Sequence, residues 1–395
     1  MNSPSRLPRH FYSLDALRGF ASLAVIFSHW DHFFYHGTKQ GSFSPNLQPL
    51  YQLFWPFYNE GGRAVDLFFC LSGFIFFWLY SLKIRRGEVS FRDFFLLRFS
   101  RLYPLHFVTL LLVAAGQYVF YLRHRTFFVY PYNDLYHFFI QLFFASHWGI
   151  HRGYSFNAPV WSVSIEVMLY FIFFVLCRLG IPRWWQLTLL ALAGMLVMLR
   201  VNHDLGNGLC SFFMGGLSFY AVSHLCKVGC SPRVTKVLVL VTLLAWIAVP
   251  ALVSYLIPLR IYRASFPSGD PTIFGKQVLA LAVTLSTPIL YNCLLFPLTV
   301  TTLAMVESWW GAFAKRLSFL GHISYSSYLL HFPLQLGFVL VGPPLSPESS
   351  FYYSPVSLLL FFSLLVPLSL ATYWYFERPA QSFLRFRLQV SSPGR

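Results

Sequence analysis

Long apolar runs, separated by short polar segments, fill most of this chain. Because a helix that crosses a bilayer needs about 20 mostly apolar residues, the runs predict ten membrane-spanning helices. These fall at residues 13–35, 64–82, 103–122, 160–178, 184–200, 207–226, 235–255, 276–297, 322–341 and 355–376. A shorter apolar stretch at 131–148 is expected to lie at the membrane interface or to re-enter the membrane, and two prolines leave the end of the eighth span open. The predicted fold is all-α, a polytopic transmembrane helix bundle.

The positions of Lys and Arg predict the orientation of these helices. If the N-terminus is inside and the spans alternate, nine of the 29 basic residues fall outside: Lys39, Arg63, Arg123, Arg125, Arg152, Arg200, Arg260, Arg263 and Lys276. The positive-inside rule then favours both termini in the cytoplasm. This topology accounts for the net charge of +16, so we expect no nucleic-acid partner.

The composition supports a membrane protein and leaves no room for a soluble domain. Charged residues make up 11% of the chain, against about 25% in soluble globular proteins. We expect one membrane-embedded domain over residues 1–395, with a core at about 11–380 and short cytoplasmic tails at 1–10 and 381–395. The run 13–35 is too long for the h-region of a cleavable signal. The six cysteines form no CxxC pair, and no metal site is expected.

The segment LDALRGFASLAVIFSHWDHFF, residues 14–34, places Arg18 and His29 eleven residues apart in an apolar run. In an α-helix this spacing turns about 1100°, which is about 20° past three full turns, so both residues lie on one face. The rise of about 16 Å is half of a hydrocarbon core of about 30 Å. Histidine at mid-depth suits general-base chemistry. The alternatives are a helix–helix hydrogen bond for His29 and a snorkelling anchor for Arg18.

Two further segments place charged groups in or beside predicted spans. Glu166, in APVWSVSIEVMLYF (158–171), lies about 9 Å into its span, where a carboxylate is costly unless it is paired or hydrated. Arg98 and Arg101 are three residues apart, where a cytoplasmic loop enters a helix. Both positive-inside anchoring and bidentate phosphate binding fit these guanidinium groups, and spacing alone does not choose between them.

Three other motifs carry weaker signals. In VDLFFCLSGFIFF (65–77), Asp66 fits an interfacial carboxylate, and the pair Ser72 and Gly73 fits a helix-packing position. In LGHISYSSYLLHFPL (320–334), Ser327 and His331 are i,i+4 neighbours, a weak candidate for a nucleophile pair. In YWYFERPAQSFLRFR (373–387), Glu377 and its neighbours fit a cytoplasmic anchor.

In order, these motifs resemble those of the acyltransferase 3 family. They are R-x10-H in the first helix, V-D-L-F-F-x-L-S-G-F, R-x-x-R-x-x-P, W-S-x-x-x-E, S-Y-x-x-Y-L-x-H and a terminal F-E-R-P. The resemblance covers nearly the whole chain. Members are integral-membrane O-acyltransferases, many of which acetylate bacterial surface polysaccharides, and often carry an extracytoplasmic hydrolase-like domain. Because this chain ends soon after F-E-R-P, it is expected to be the stand-alone form.

The resemblance also implies roles for individual residues. His29 matches the histidine proposed as the catalytic base, and Arg18 matches the arginine of the same motif. Arg98 and Arg101 match the pair thought to bind the phosphates of acyl-CoA, and Glu166 matches the glutamate of its motif. The residues that match supporting positions are Asp66, Ser72, Gly73, Trp161, Ser162, Tyr325, Tyr328 and His331.

The implied function is transfer of an acyl group, most simply acetyl, from cytoplasmic acyl-CoA to a hydroxyl of an extracytoplasmic or lipid-linked carbohydrate. Acyl-CoA would be a co-substrate, with no permanently bound cofactor. The protein is expected to be multi-pass in the cell inner membrane, in contact with lipid, and a homo-oligomer is left open. From the residues alone, the alternative is a secondary transporter with a membrane-embedded His, Glu and Arg site. No inverted repeat or matched pair of broken helices is evident to favour it.

Overall fold

A computed structural model describes residues 7–180, 183–229, 231–264, 285–342 and 350–388 of this protein. Within these ranges the regular elements are helices, apart from one antiparallel hairpin of two-residue strands, β1 (Tyr35–His36) and β2 (Lys39–Gln40). The predicted all-α class is therefore confirmed. Seven helical stretches of the described residues are long and apolar enough to cross a membrane: Tyr51–Leu79, Phe91–His124, Ala158–Arg178, His203–Lys227, Pro232–Ser254, Leu285–Trp310 and Pro355–Arg387.

The α-helices of the described chain are α1 (Tyr12–Ser28), α2 (Tyr51–Glu60), α3 (Ala64–Leu79), α4 (Ser81–Arg85), α5 (Phe91–His124), α6 (Leu135–Leu142), α7 (Trp161–Arg178), α8 (Trp184–Arg200), α9 (His203–Lys227), α10 (Pro232–Ala264), α11 (Phe296–Trp310), α12 (Phe319–Val341), α13 (Pro355–Thr372) and α14 (Arg378–Arg387). Short 3-10 helices lie at His29–Phe34, Pro45–Leu47, Gly61–Arg63, Ala158–Val160, Lys315–Leu317 and Ser350–Tyr353, and π-helical turns at Ile289–Leu295 and Tyr373–Glu377.

The remaining three of the ten predicted spans also coincide with helices, namely α1, α8 and α12. The count of ten spans and the cytoplasmic placement of both termini stay predictions. The first part of the predicted eighth span, 276–284, lies outside the described residues. From Leu285 that helix runs on to Trp310, beyond the predicted end at residue 297, because a π-helical turn accommodates the chain before Pro297.

The short helix α6 occupies the stretch predicted to be interfacial or re-entrant. Its eight residues rise about 12 Å, which is too short to cross the hydrocarbon core of about 30 Å. One face is buried and includes His137 and Gln141, while Phe139 and Phe143 are exposed. The interfacial placement itself stays a prediction.

The described chain divides into two compact units, each built from separate segments. The first contains the described residues within 1–14, 66–79 and 181–315, and the second those within 15–65, 80–180 and 316–395. In the first unit, α3 meets α9 at Gly73, where an added Cβ would lie 1.9 Å from the carbonyl oxygen of Phe212. Gly73 thus occupies a close helix contact, as expected for a small residue in a membrane bundle.

A buried carboxylate caps the start of α1 within this first unit. Glu307 Oε1 accepts from the Tyr12 N–H at 2.9 Å, and Glu307 Oε2 accepts from the Ser13 N–H at 2.9 Å and the Ser13 hydroxyl at 2.6 Å. The first N–H groups of a helix have no partners within the helix, and its positive N-terminal dipole favours an anion there. Glu307 therefore holds the beginning of the helix that leads to His29.

In the second unit, a proline inside α12 creates a carbonyl that a side chain satisfies. Pro333 has no N–H to donate to the carbonyl of Leu329, four residues earlier. The amide of Asn157 donates to that carbonyl at 3.0 Å, and Asn157 is fully buried. The loop before α7 is thereby attached to α12. The long α5 also packs against α12 and α14 in this unit.

Candidate active site

The helix α1 ends immediately before His29, the histidine that the sequence places at mid-depth of the first span. The α-helix stops at Ser28, and His29 begins a 3-10 helix that runs to Phe34. The predicted span 13–35 was one continuous helix, so this tighter turn is a correction. Two side chains take part in the change, since the Ser28 hydroxyl donates to the Val25 carbonyl at 2.8 Å, and the Gln335 amide donates to the His29 carbonyl at 2.8 Å.

His29 belongs to a network of imidazole rings at this turn. His29 Nδ1 lies 2.9 Å from His331 Nε2, and His331 Nδ1 lies 2.6 Å from the Tyr328 carbonyl oxygen. His32 Nδ1 lies 3.0 Å from Gln335 Oε1. The His29 ring also stacks on the His32 ring at 4.8 Å between centroids. The predicted helix–helix hydrogen bond of His29 is thus present, and its partner is the histidine of the late motif.

Within the network, His29 differs from the other members in its exposure. His331 and Gln335 are 0% exposed and His32 is 6% exposed, whereas His29 is half-buried. Of these four residues, His29 is therefore the one that retains the largest accessible fraction. Although three imidazoles meet here, the described residues contain no group of three or more His, Cys, Asp or Glu side chains placed to hold a metal ion.

Close packing of α1 on α12 brings His29 and His331 together. The Ser22 and Ser327 hydroxyl oxygens are 2.7 Å apart, and the Ser22 hydroxyl also donates to the Ser324 carbonyl at 3.0 Å. A Cβ added to Gly321 would lie 2.4 Å from the Asp15 carbonyl oxygen. Small residues thus let the two backbones approach, as is usual between helices in a membrane. Ser327 bonds to Ser22, so the predicted Ser327–His331 nucleophile pair gains no support.

The predicted arginines form a second group, together with tyrosines. The Arg98 guanidinium lies over the Tyr80 ring at 4.7 Å and near the Tyr170 ring at 6.0 Å. Arg18 lies within electrostatic range of Arg101, Asp15, Glu166 and Tyr170. Arg101 is exposed, whereas Arg98 and Arg18 are half-buried. The structure therefore gathers Arg18, Arg98, Arg101 and Glu166 in one part of the second unit.

The tyrosines of the late motif connect α12 to other helices. The Tyr328 hydroxyl lies 2.8 Å from the Ser162 hydroxyl and donates to the Pro159 carbonyl at 2.8 Å. The Tyr325 hydroxyl donates to the Leu102 carbonyl at 2.6 Å, beside Arg101. Ser162 and Tyr328 are both buried. Trp161, at the start of α7, packs near the His147 ring, with 5.7 Å between ring centroids.

Ten of the thirteen predicted site residues belong to the second unit: Arg18, His29, Arg98, Arg101, Trp161, Ser162, Glu166, Tyr325, Tyr328 and His331. Asp66, Ser72 and Gly73 belong to the first. There, Asp66 lies within electrostatic range of His203, and Ser72 is buried.

Sequence reasoning missed four residues near this site. His32 and Gln335 complete the imidazole network, Asn157 attaches its loop to α12, and Glu377 is more than an anchor. The carboxylate of Glu377 accepts a hydrogen bond from the Ser326 hydroxyl and lies within electrostatic range of Arg101. A signal existed for two of them, because His32 is three residues after His29 and Gln335 is four residues after His331, each in an apolar run.

Comparison with known proteins identifies relatives. A family model described as an acyltransferase domain matches residues 11–378. Protein 2 in the picA locus of Rhizobium radiobacter is 35% identical over 108 residues, which are 27% of this chain and 46% of that protein. Acyltransferase MdmB of Streptomyces mycarofaciens is 32% identical over 189 residues, 46% of this chain and 40% of that protein. The matches thus span less than half the length of these curated relatives. No solved structure matches this chain significantly.

Proposed function

Because the chain belongs to the acyltransferase 3 family, we propose that it transfers an acyl group, acetyl in the simplest case, from cytoplasmic acyl-CoA to a hydroxyl of an extracytoplasmic or lipid-linked carbohydrate. The observation that carries this proposal is the imidazole of the half-buried residue His29, whose Nδ1 lies 2.9 Å from Nε2 of the buried His331. A neutral imidazole is well matched to general-base work near neutral pH.

In the proposed reaction, His29 takes the proton of the acceptor hydroxyl. The hydroxyl oxygen then forms a bond to the thioester carbonyl carbon, and the C–S bond breaks. The CoA thiolate leaves and recovers the proton from His29 as a thiol, so that an ester and free CoA are the products. We prefer this direct transfer to a route through a covalent acyl-enzyme, since Ser327, the serine nearest in sequence to His331 that was weighed as a nucleophile, bonds to Ser22.

Arg98 and Arg101 are proposed to bind the phosphates of acyl-CoA at the cytoplasmic side. Guanidinium groups bind phosphate through two parallel hydrogen bonds, and an ordered one loses less freedom on binding. The position of Arg98 over the Tyr80 ring supplies such ordering. Glu166 and Arg18 would lie between this phosphate-binding site and His29. There Glu166 is proposed to orient the acyl-CoA or the acceptor.

The remaining assignments follow from the same proposal. Acyl-CoA is a co-substrate that binds and leaves, the protein is a multi-pass protein of the cell inner membrane, and lipid surrounds it. The name of the Streptomyces relative, acyltransferase MdmB, supports acyl transfer as the reaction type. Sugar hydroxyls are the proposed acceptors because of the family resemblance.

The test is acetyl-CoA binding and cleavage by detergent-purified protein. We expect the wild type to bind acetyl-CoA and release free CoA, His29→Ala to bind without cleavage, and Arg98→Ala/Arg101→Ala to bind much more weakly. A wild type that neither binds nor cleaves any acyl-CoA would contradict the proposal and favour the transporter alternative. Normal cleavage by His29→Ala would remove His29 from the role of base.

A further inference from the structure

We infer that His331 is a positioning residue that fixes His29 in the Nδ1–H tautomer and so directs the Nε2 lone pair of His29 toward the acceptor hydroxyl. The inference rests on the proposed function, because it gives a direction to the proposed base. It depends on which atoms in the network can donate a hydrogen bond and which can only accept one. Two of the atoms that can only accept are backbone carbonyl oxygens.

The first carbonyl sets the tautomer of His331. The carbonyl oxygen of Tyr328 can only accept a hydrogen bond, and His331 Nδ1 lies 2.6 Å from it. The proton of a neutral His331 ring is therefore on Nδ1, and its Nε2 carries a lone pair. A buried imidazolium needs a counter-ion, whereas this ring bonds to backbone carbonyl groups and to an imidazole nitrogen.

The tautomer of His29 follows from that of His331. His331 Nε2 lies 2.9 Å from His29 Nδ1, and a nitrogen with a lone pair can only accept. His29 Nδ1 must therefore carry the proton and donate it. In a neutral ring this leaves Nε2 unprotonated, so Nε2 is the atom of His29 that can take up a proton.

The second carbonyl, that of His29, sets the tautomer of His32 through the side-chain amide of Gln335. The His29 carbonyl accepts from Gln335 Nε2 at 2.8 Å, so the amide oxygen of Gln335 faces His32 and accepts from His32 Nδ1 at 3.0 Å. His32 Nε2 can then accept from the Tyr130 hydroxyl, at 3.3 Å. Each of these hydrogen bonds pairs one donor with one acceptor, and the His29 ring stacks on the His32 ring.

The same hydrogen bonds can remain in place when His29 becomes protonated. When Nε2 takes the proton of the acceptor hydroxyl, Nδ1–H still donates to His331 Nε2, so no bond in the network has to reverse. The orienting partner of a base has two tasks, which are to hold the tautomer and to stabilise the imidazolium that forms. A neutral imidazole performs both without placing a negative charge in the apolar interior, where an unpaired ion is costly.

A pair of substitutions at residue 331 tests the inference. The amide oxygen of Gln and the Nε2 of His both lie three bonds beyond Cβ, so His331→Gln retains an acceptor for His29, whereas His331→Leu removes it at similar volume. We expect the kcat of acetyl-CoA turnover to fall about 100-fold in His331→Leu and less than about tenfold in His331→Gln, with the KM for acetyl-CoA unchanged in both. Ser22→Ala is the control, since it removes another buried hydrogen bond between α1 and α12 and is expected to leave kcat within about threefold.

The result is interpreted after turnover by the wild type and its loss in His29→Ala have been measured. If those two hold and His331→Gln is as inactive as His331→Leu, or His331→Leu is as active as the wild type, the inference is wrong and the proposed function stands. A direct readout uses ¹⁵N-histidine labelling of the wild-type protein. The neutral-ring signal that disappears in His29→Ala should be that of an Nδ1–H tautomer, and an Nε2–H signal would overturn the inference whether or not the protein turns over acyl-CoA.

Discussion

The second unit holds polar groups in two different ways. Around His29, the groups that bond to one another are imidazole rings, an amide and backbone carbonyls, at distances of 2.6 to 3.0 Å. Around Arg98, they are charged groups and tyrosine rings, and the Arg98 guanidinium lies over the Tyr80 ring at 4.7 Å and near the Tyr170 ring at 6.0 Å. The first region is built from directional hydrogen bonds between rings, an amide and carbonyls, and the second is rich in charged groups.

This difference fits two different tasks. Proton transfer requires one atom of one ring to be unprotonated and correctly aimed, which directional hydrogen bonds provide. Recognition of a polyanion requires positive charge and several hydrogen-bond donors that the ligand can reach, and exposed or half-buried arginines provide these. We therefore expect substitutions in the first region to change turnover and substitutions in the second to change donor affinity.

The largest expected effect is that of His29→Ala. Loss of a general base should lower acetyl-CoA turnover about 1,000-fold, while the dissociation constant for acetyl-CoA stays within about twofold because the arginines are unchanged. His36→Ala is the matched control, since His36 is an exposed histidine of the hairpin. Loss of donor binding in His29→Ala would break the division of tasks between the two regions.

The second prediction concerns the arginines. Arg98→Ala/Arg101→Ala should weaken acetyl-CoA binding about 50-fold, because each lost charge-assisted hydrogen bond costs about 1.5–3 kcal/mol and Arg101 is exposed. Binding can be measured by titration calorimetry in detergent. Arg85→Ala/Arg86→Ala, two exposed arginines of the same predicted cytoplasmic segment, should bind like the wild type. Equal losses in both double variants would indicate a general charge effect and no specific phosphate site.

Salt should separate the two regions without any substitution. Raising the salt from about 0.1 M to about 1 M shortens the Debye length from about 10 Å to about 3 Å. We expect the apparent KM for acetyl-CoA to rise about tenfold, since exposed arginines are screened, while kcat at saturating donor changes less than about twofold. If kcat fell together with affinity, the screened charges would act on the chemical step as well as on donor binding.

The smallest expected effect is that of Tyr328→Phe. The substitution removes the hydroxyl that contacts Ser162 and Pro159 but retains the Tyr328 carbonyl that binds His331. We expect a loss of about 1 kcal/mol in the free energy of unfolding and a change in turnover of less than about threefold. Tyr118→Phe, at an exposed position, is the control in thermal unfolding. A loss of turnover as large as that of His29→Ala would assign the Tyr328 hydroxyl to the chemistry.

The apolar pattern predicted helix positions well where polar ends bound the run. The predicted spans 160–178 and 184–200 match α7 and α8 to within one residue. The start of α5 at Phe91 was missed by twelve residues, because residues 91–102 are amphipathic and rich in arginine. A continuous apolar run predicts only the part of a helix that lies in lipid, and not a polar extension beyond it.

The sequence predicted many of the residues that form the candidate site, but not the hydrogen bonds that join them. His29 and His331 were each identified from their motifs, yet their hydrogen bond depends on the packing of α1 on α12, which local spacing does not reveal. Asn157 was invisible for the same reason, because its only signal is the carbonyl that Pro333 leaves open on a distant helix. Tautomers require the complete set of partners, so they lie beyond any reading of single motifs.

The hydrogen bond between Asn157 and the Leu329 carbonyl also fixes the position of the loop before α7 along the axis of α12. Pro333 is the proline inside α12, so one interior carbonyl of that helix is left without its usual donor. A slip of the α7 loop by one residue along α12 would leave both that oxygen and the buried Asn157 amide unsatisfied, at a cost of about 1–3 kcal/mol for each group. Pro333 therefore sets the register between α12 and the loop that leads into α7, the helix that carries Glu166.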